Sequence, residues 1–195
     1  MKILLTGANG RIGSSLIKLL PFDLSAYSRQ DLDITDKAAV AKIVNEIKPD
    51  AIINCAGIIN PRCEENKELA FRVNVTGVEN LCDTGVRLVQ ISSWVVLNPK
   101  DWYGITKCAA EYLIDPKKHV ILRLAFPHDD MALADAIVKL IDKPGIYNLW
   151  ELKAPYLKTR LILFLKKLSL KLMTEPGSLL EITARIIKKK SRLFK

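Results

Sequence analysis

Tyr103 and Lys107 stand four residues apart in the segment Trp102-Tyr103-Gly104-Ile105-Thr106-Lys107, and Ser92-Ser93 precede the tyrosine by ten to eleven residues. On a helix, a four-residue separation puts two side chains on one face. A phenol beside an ammonium group is a way to run proton transfer near neutral pH. A free phenol ionises near about pH 10, and a fixed positive charge nearby lowers that value. Such a tyrosine can exchange a proton with an alcohol or carbonyl oxygen while hydride moves to or from carbon. A serine hydroxyl on the same oxygen would hold it in place. The Tyr-x-x-x-Lys spacing is common on amphipathic helices, so its meaning depends on what precedes it in the chain.

What precedes it is a glycine turn. The first strand-like run ends in Thr6-Gly7-Ala8-Asn9-Gly10-Arg11-Ile12-Gly13, and a helical pattern starts there. Gly7, Gly10 and Gly13 fit G-x-x-G-x-x-G. The first glycine permits a tight turn, the second a close approach to a pyrophosphate, the third tight helix–strand packing. The helix N-terminus adds free N–H groups and a positive dipole end. The second strand ends in Tyr27-Ser28-Arg29, with no carboxylate before Asp31. An acidic residue there would favour NAD(H) by holding ribose hydroxyls. Arg29 instead can pair with a 2′-phosphate, so NADP(H) is expected over NAD(H).

These residues need a frame, and the chain supplies one in alternation. Strands are expected at Lys2–Thr6, Leu24–Ser28, Asp50–Ala56, Val86–Ser92, His119–Leu124 and Ile146–Leu149. Helical patterns lie between them at Arg11–Leu20, Asp36–Ile47, Lys67–Thr84, Tyr103–Ile114 and Met131–Ile141. Gly85 is the expected stop of the long third helix. Alternating β and α units predict an α/β, doubly wound (Rossmann-like), mostly parallel sheet with helices on both faces. The first domain is read as residues 1–149 and a helical extension as 150–195.

Composition agrees with an ordinary globular domain: 49% apolar and 26% charged residues. No apolar run approaches the roughly 20 residues of a membrane span, and no cleavable leader is expected. Four cysteines without C-x-x-C spacing are read as reduced, mostly buried thiols of a cytoplasmic protein rather than disulfides or zinc ligands. No metal is expected, and His119 and His128 are read as structural or surface residues. The net charge of +9 lies wholly in residues 157–195, because residues 1–156 balance 19 Lys+Arg against 19 Asp+Glu. In that tail Leu157, Leu161, Phe164, Leu165, Leu168 and Leu172 recur at helical spacing among lysines and arginines, and a second helix is expected over Ser178–Lys190. The pattern suits packing on the domain, packing across a homodimer, or peripheral attachment to an anionic membrane surface. The basic run lacks interleaved aromatics, so nucleic acid is not expected.

Taken together, the ordered motifs resemble the extended short-chain dehydrogenase/reductases, and among them the dTDP-4-dehydrorhamnose reductases, over residues 1–149. Thr-Gly-Ala-Asn-Gly-Arg-Ile-Gly resembles the family's nucleotide loop, with Asn9, Arg11 and Ile12 beside the three glycines. Leu32-Asp33-Ile34-Thr35-Asp36 is similar to the segment that lays Asp33 and Ile34 against adenine, next to Ser28 and Arg29. Asn54-Cys55-Ala56-Gly57 resembles the turn after strand three that lines the cofactor. Val73-Asn74-Val75-Thr76-Gly77 resembles the helix carrying a structural asparagine, Asn74, counted here with the cofactor residues. Pro99–Lys107 resembles the P-x-N-x-Y-G-x-[ST]-K block.

The resemblance implies Tyr103 as general acid for carbonyl reduction. It implies that Lys107 lowers the tyrosine's pKa and holds the nicotinamide ribose, and that Ser93 binds the substrate oxygen. It implies an NADPH-dependent oxidoreductase acting on a sugar nucleotide or a small carbonyl substrate. Two departures stand out. Only ten residues separate Ser93 from Tyr103, with Trp94 where the rhamnose-pathway enzymes have aspartate, and residues 150–195 look unlike a nucleotide-sugar lobe. They leave room for a catalytically reduced NADP-binding regulatory or scaffold subunit, or for isomerase-type chemistry on the same site. The regulatory β-subunit of methionine adenosyltransferase, built on this reductase fold, is a precedent for the former.

Overall fold

Strand β1 (Lys2–Thr6) is the centre from which the sheet grows in both directions. The computed structural model describes residues 1–125 and 128–150. Within them, β2 (Asp23–Tyr27), β3 (Ala51–Asn54), β4 (Arg87–Ser93), β5 (Val120–Leu124) and β6 (Gly145–Asn148) complete a six-stranded sheet. The order is β2-β1-β3-β4-β5-β6 and every pairing is parallel. The expected boundaries hold to within one or two residues. Parallel neighbours require crossovers, here carried mainly by α1 (Arg11–Leu19), α2 (Lys37–Ile47), α4 (Lys67–Phe71) with α5 (Gly77–Cys82), α6 (Trp102–Tyr112) and α7 (Asp130–Leu140). A short helix, α3 (Arg62–Glu65), precedes α4.

The four inner strands, β1, β3, β4 and β5, are apolar on both sides because both sides are covered. Alternation along β1 sends Ile3 and Leu5 to one core, where they join Ile53, Val89 and Leu122 under Leu16 of α1 and Leu133 and Ile137 of α7. Leu4 points the other way, with Ile52, Leu88 and Ile121, onto Val40 of α2, Leu81 of α5 and Ala110 of α6. Helix starts follow local chemistry. Asp36, Asp101 and Asp129 each accept backbone N–H bonds at the N-caps of α2, α6 and α7, which satisfies donors the helix cannot.

The long helix expected over Lys67–Thr84 is not one regular helix. Between α4 and α5 the segment Arg72–Thr76 widens into a π-turn. Asn74 sits in the middle of it, and its side-chain bonds to the chain after β3 fix the local path. Gly77 follows, where a Cβ would lie 2.6 Å from the Ile34 side chain. The cysteine expectation also needs adjusting: all four thiols are free, but only Cys63 is buried, and Cys55, Cys82 and Cys108 are half-buried. Among the described residues no helix is long and apolar enough to cross a membrane, and no three His, Cys, Asp or Glu side chains converge as a metal site. The helices expected after residue 156 lie outside the described residues, as do Phe126 and Pro127.

Candidate active site

The strand order reverses between β1 and β3, and at such a switch point the loops leaving the strand C-termini part and open a crevice. A ladder of buried polar side chains fixes that edge. Thr6, Asn54 and Gln90 are register partners on β1, β3 and β4. Thr6 Oγ1 donates to Asn54 Oδ1 at 2.6 Å, and Asn54 Nδ2 donates to Gln90 Oε1 at 2.8 Å. Asn54 Oδ1 also accepts from the Ala56 N–H at 3.0 Å, which turns the chain after β3. Gly7 meets that turn at φ +75°, and a Cβ there would lie 2.5 Å from the Ala56 nitrogen. At Gly13 a Cβ would lie 2.2 Å from the Gly7 carbonyl oxygen. The α1 N-cap is Gly10, with no side chain closing the helix end, so its first N–H groups face the crevice.

Two cavities adjoin there, sharing Gly10, Cys55, Ala56 and Gly57. The smaller, about 280 Å³, is lined also by Gly7, Asn9, Arg29, Asp33 and Ile34. The larger, about 530 Å³, is lined also by Arg11, Ile12, Ser93, Tyr103 and Lys107. The residues read as nucleotide-binding and those read as proton-transferring therefore meet along one continuous trough. Arg29 reaches the smaller cavity with its Nε 3.7 Å from an Asp33 carboxylate oxygen; both side chains are exposed and the pair is solvent-screened.

Three expected residues do not line the trough. Gly13 acts by packing against Gly7. Ser28 is buried and donates both its hydroxyl (2.5 Å) and its N–H (3.0 Å) to Asp31 Oδ2, so it shapes the turn after β2. Asn74 accepts from the Ile58 N–H (2.7 Å) and donates to the Ile58 carbonyl (2.9 Å) and to Thr106 Oγ1 (3.0 Å). It clamps the cofactor-side loop to helix α6 and is a positioning residue.

The expected proton-transfer pair, Tyr103 and Lys107, differs electrostatically from the expectation. Lys107 is 6% exposed, and its Nζ donates to the Ile91 carbonyl at 2.7 Å. Burial pushes Lys107 down from 10.5 to about 8, against the pull of Glu111. Tyr103 is raised rather than lowered: burial pushes the phenol up, the Ser93 hydroxyl draws it back, and Cys63 and Asp101 add to the rise. The Lys107 ammonium is held by a backbone carbonyl, and burial sets the direction of the Tyr103 shift. A protonated Tyr103 beside Ser93 suits a general acid.

Sequence reasoning missed several neighbours. His128, read as a structural or surface residue, lines the larger cavity and lies 3.2 Å from an Arg11 guanidinium nitrogen and from Asp130. Ile59 and Asn60 line the same cavity, and Asn60 Nδ2 donates to Asp101 Oδ2 at 2.7 Å. No sequence periodicity marks these loop residues. Glu111 also went unnoticed, although its spacing, one helical turn beyond Lys107, was readable. Trp94, half-exposed, walls the larger cavity beside Ser93.

Residues 1–143 match the family described as RmlD substrate binding domain. The chain belongs to the RmlD family. This RmlD chain is 37% identical over 91 residues to a dTDP-4-dehydrorhamnose reductase of Aggregatibacter actinomycetemcomitans, covering 44% of the chain and 31% of that relative. It is 28% identical over 179 residues to the methionine adenosyltransferase 2 subunit beta of Xenopus laevis, covering 75% and 54%. A solved dTDP-4-dehydrorhamnose reductase from Clostridium acetobutylicum superposes with a TM-score of 0.68 at 31% identity, covering 75% of this RmlD chain and 73% of the other. The chain spans only 31% to 46% of the first curated relatives it matches.

Proposed function

We propose that the chain binds NADP(H) along the trough and reduces a carbonyl group, with a sugar nucleotide or a smaller carbonyl compound as substrate. The residues present fit a dinucleotide. Glycine at 7 lets the turn meet the chain after β3, glycine at 13 lets α1 pack on the Gly7 carbonyl, α1 offers an open N-terminus, and Arg29 stands at the smaller cavity as a partner for a 2′-phosphate. When bound, the reduced nicotinamide supplies the hydride. The chain's own residues do the rest. Ser93 and Tyr103 hold the substrate oxygen, and the phenol donates its proton to that oxygen. Lys107 supplies the nearby positive charge and a donor for the ribose.

The observation that carries this reading is the convergence of Ser93, Tyr103 and Lys107 on a cavity that shares its wall with the glycine turn. Similarity to dTDP-4-dehydrorhamnose reductases supports the sugar-nucleotide class. The test is NADPH oxidation by the full chain against 4-keto sugar nucleotides and simpler carbonyls. Turnover of one of them is the expected result, and tight NADPH binding without turnover of any would overturn it.

That second result would instead fit a nucleotide-binding regulatory subunit. Trp94 beside Ser93 favours this alternative, because an apolar wall replaces a polar sugar contact, as does the similarity to an adenosyltransferase β-subunit.

A further inference from the structure

Behind the trough lies a buried polar junction with no part in the mechanism above. Glu111, near the end of α6, accepts from the Ser92 hydroxyl on Oε1 at 2.5 Å. Arg123 of β5 grips the same carboxylate, Nη2 donating to Oε2 at 2.6 Å and Nε to both oxygens at 3.1 Å. The side chains of Arg123 and Glu111 are 17% and 10% exposed. Three elements therefore meet at one carboxylate: the end of β4 just before Ser93, the end of β5 just before Leu124, and the helix that carries Tyr103 and Lys107.

We propose that Glu111 is a positioning residue, which through Ser92 and Arg123 fixes helix α6, and with it Tyr103 and Lys107, against the strand end that presents Ser93. The proposal rests on Tyr103 and Lys107 being the proton-transfer pair. A bidentate arginine restricts the carboxylate in both distance and direction. Ser92 adds a third restraint next to Ser93, so a slip of α6 along β4 would break buried bonds.

Charge gives Glu111 a second effect. Lys107 lies one turn earlier on the same face of α6. The groups that act on its ammonium are Glu111 from α6, Cys55 after β3 and Cys63 from α3. Burial pushes Cys55 up to about 12 and Cys63 upward too, so both thiols are neutral near pH 7. Glu111 is the anion among them, and it holds Lys107 protonated against burial. Arg123 neutralises the carboxylate's outer side, which keeps that anion buried without leaving it unpaired.

The test is a pH titration of the full chain carrying ¹³C-labelled lysine. The Lys107 signal is the one absent from the Lys107→Met spectrum. In wild type the Lys107 midpoint is expected at about 8. In Glu111→Gln it is expected to fall below that value, and the alkaline limb of NADPH oxidation to move with it. Glu111→Met combined with Arg123→Met removes the ion pair without stranding a buried charge, and covers the case in which Glu111→Gln does not fold. An unchanged Lys107 midpoint in the folded variant, with only the melting temperature lowered, would overturn the proposal and leave Glu111 a structural residue. A shifted midpoint in a chain whose wild type turns over no carbonyl supports the positioning role and counts only against the reductase reading.

Discussion

Replacing Lys107 with methionine should make this protein more stable while removing its chemistry. Lys107 is buried, and its ionisation falls from 10.5 to about 8 on folding. That fall of about 2.5 pH units, at about 1.4 kcal/mol each, means that folding with a charged Lys107 costs about 3 kcal/mol. The sign follows from linkage. Below about pH 8 the lysine is protonated in both states and the full cost is present. Between about 8 and 10.5 the unfolded chain binds the extra proton, so the cost fades as pH rises through that window.

Methionine keeps the apolar stem and removes the charge. The variant forfeits one hydrogen bond to the Ile91 carbonyl, about 1 kcal/mol, but that oxygen still accepts from Gln90 Nε2 at 2.8 Å. The net gain at pH 7 is about 2 kcal/mol, or about 4–8 °C in Tm for a domain of this size. Urea denaturation of wild type and variant at pH 7 and pH 10 measures it. The account expects the variant to lead at pH 7 and the lead to shrink or reverse at pH 10. A variant less stable at pH 7, or a gap indifferent to pH, would refute the reasoning.

Two further substitutions probe the frame and the nucleotide side of the trough. Asn74→Ala strands the Ile58 N–H, leaves the Ile58 carbonyl only the Cys63 thiol as donor, and unlinks the loop after β3 from Thr106; it should destabilise the fold by about 2 kcal/mol in urea titrations and weaken NADPH binding without removing a direct ligand. Arg29→Ala should weaken NADPH binding by roughly tenfold, as a charge-assisted bond is lost, and leave NADH binding nearly unchanged. Fluorescence titration with both dinucleotides checks this, and equal losses for the two would show that Arg29 does not read the 2′-phosphate.

The sheet was legible because each buried strand is a short apolar run bounded by a turn signal, and alternation with helices leaves few arrangements other than a parallel sheet. The glycine turn was legible for a related reason: positions such as Gly7 and Gly13 tolerate no Cβ, so residue type alone reports the geometry. Long-range polar contacts were not legible. The Thr6–Asn54–Gln90 ladder, the Asn74 clamp and the Glu111 junction join residues 12 to 48 positions apart, and nothing local marks such partners. The π-turn escaped for the same reason: Val73, Asn74, Val75 and Thr76 are weak helix formers, but weak propensity does not specify a wider turn, and its shape comes from what Asn74 and Gly77 touch. The direction of the Tyr103 shift was misjudged because spacing gives proximity and says nothing of burial, and here burial dominates.

The most direct test of the central claim is Tyr103→Phe, assayed on the full chain for NADPH binding and for NADPH oxidation with whichever carbonyl compound the wild type turns over. Loss of one phenolic hydroxyl should leave the fold and NADPH affinity near wild type and lower turnover by roughly 10²–10⁴-fold. Turnover within about twofold of wild type, on a general-acid contribution of that size, would contradict Tyr103 as the proton donor.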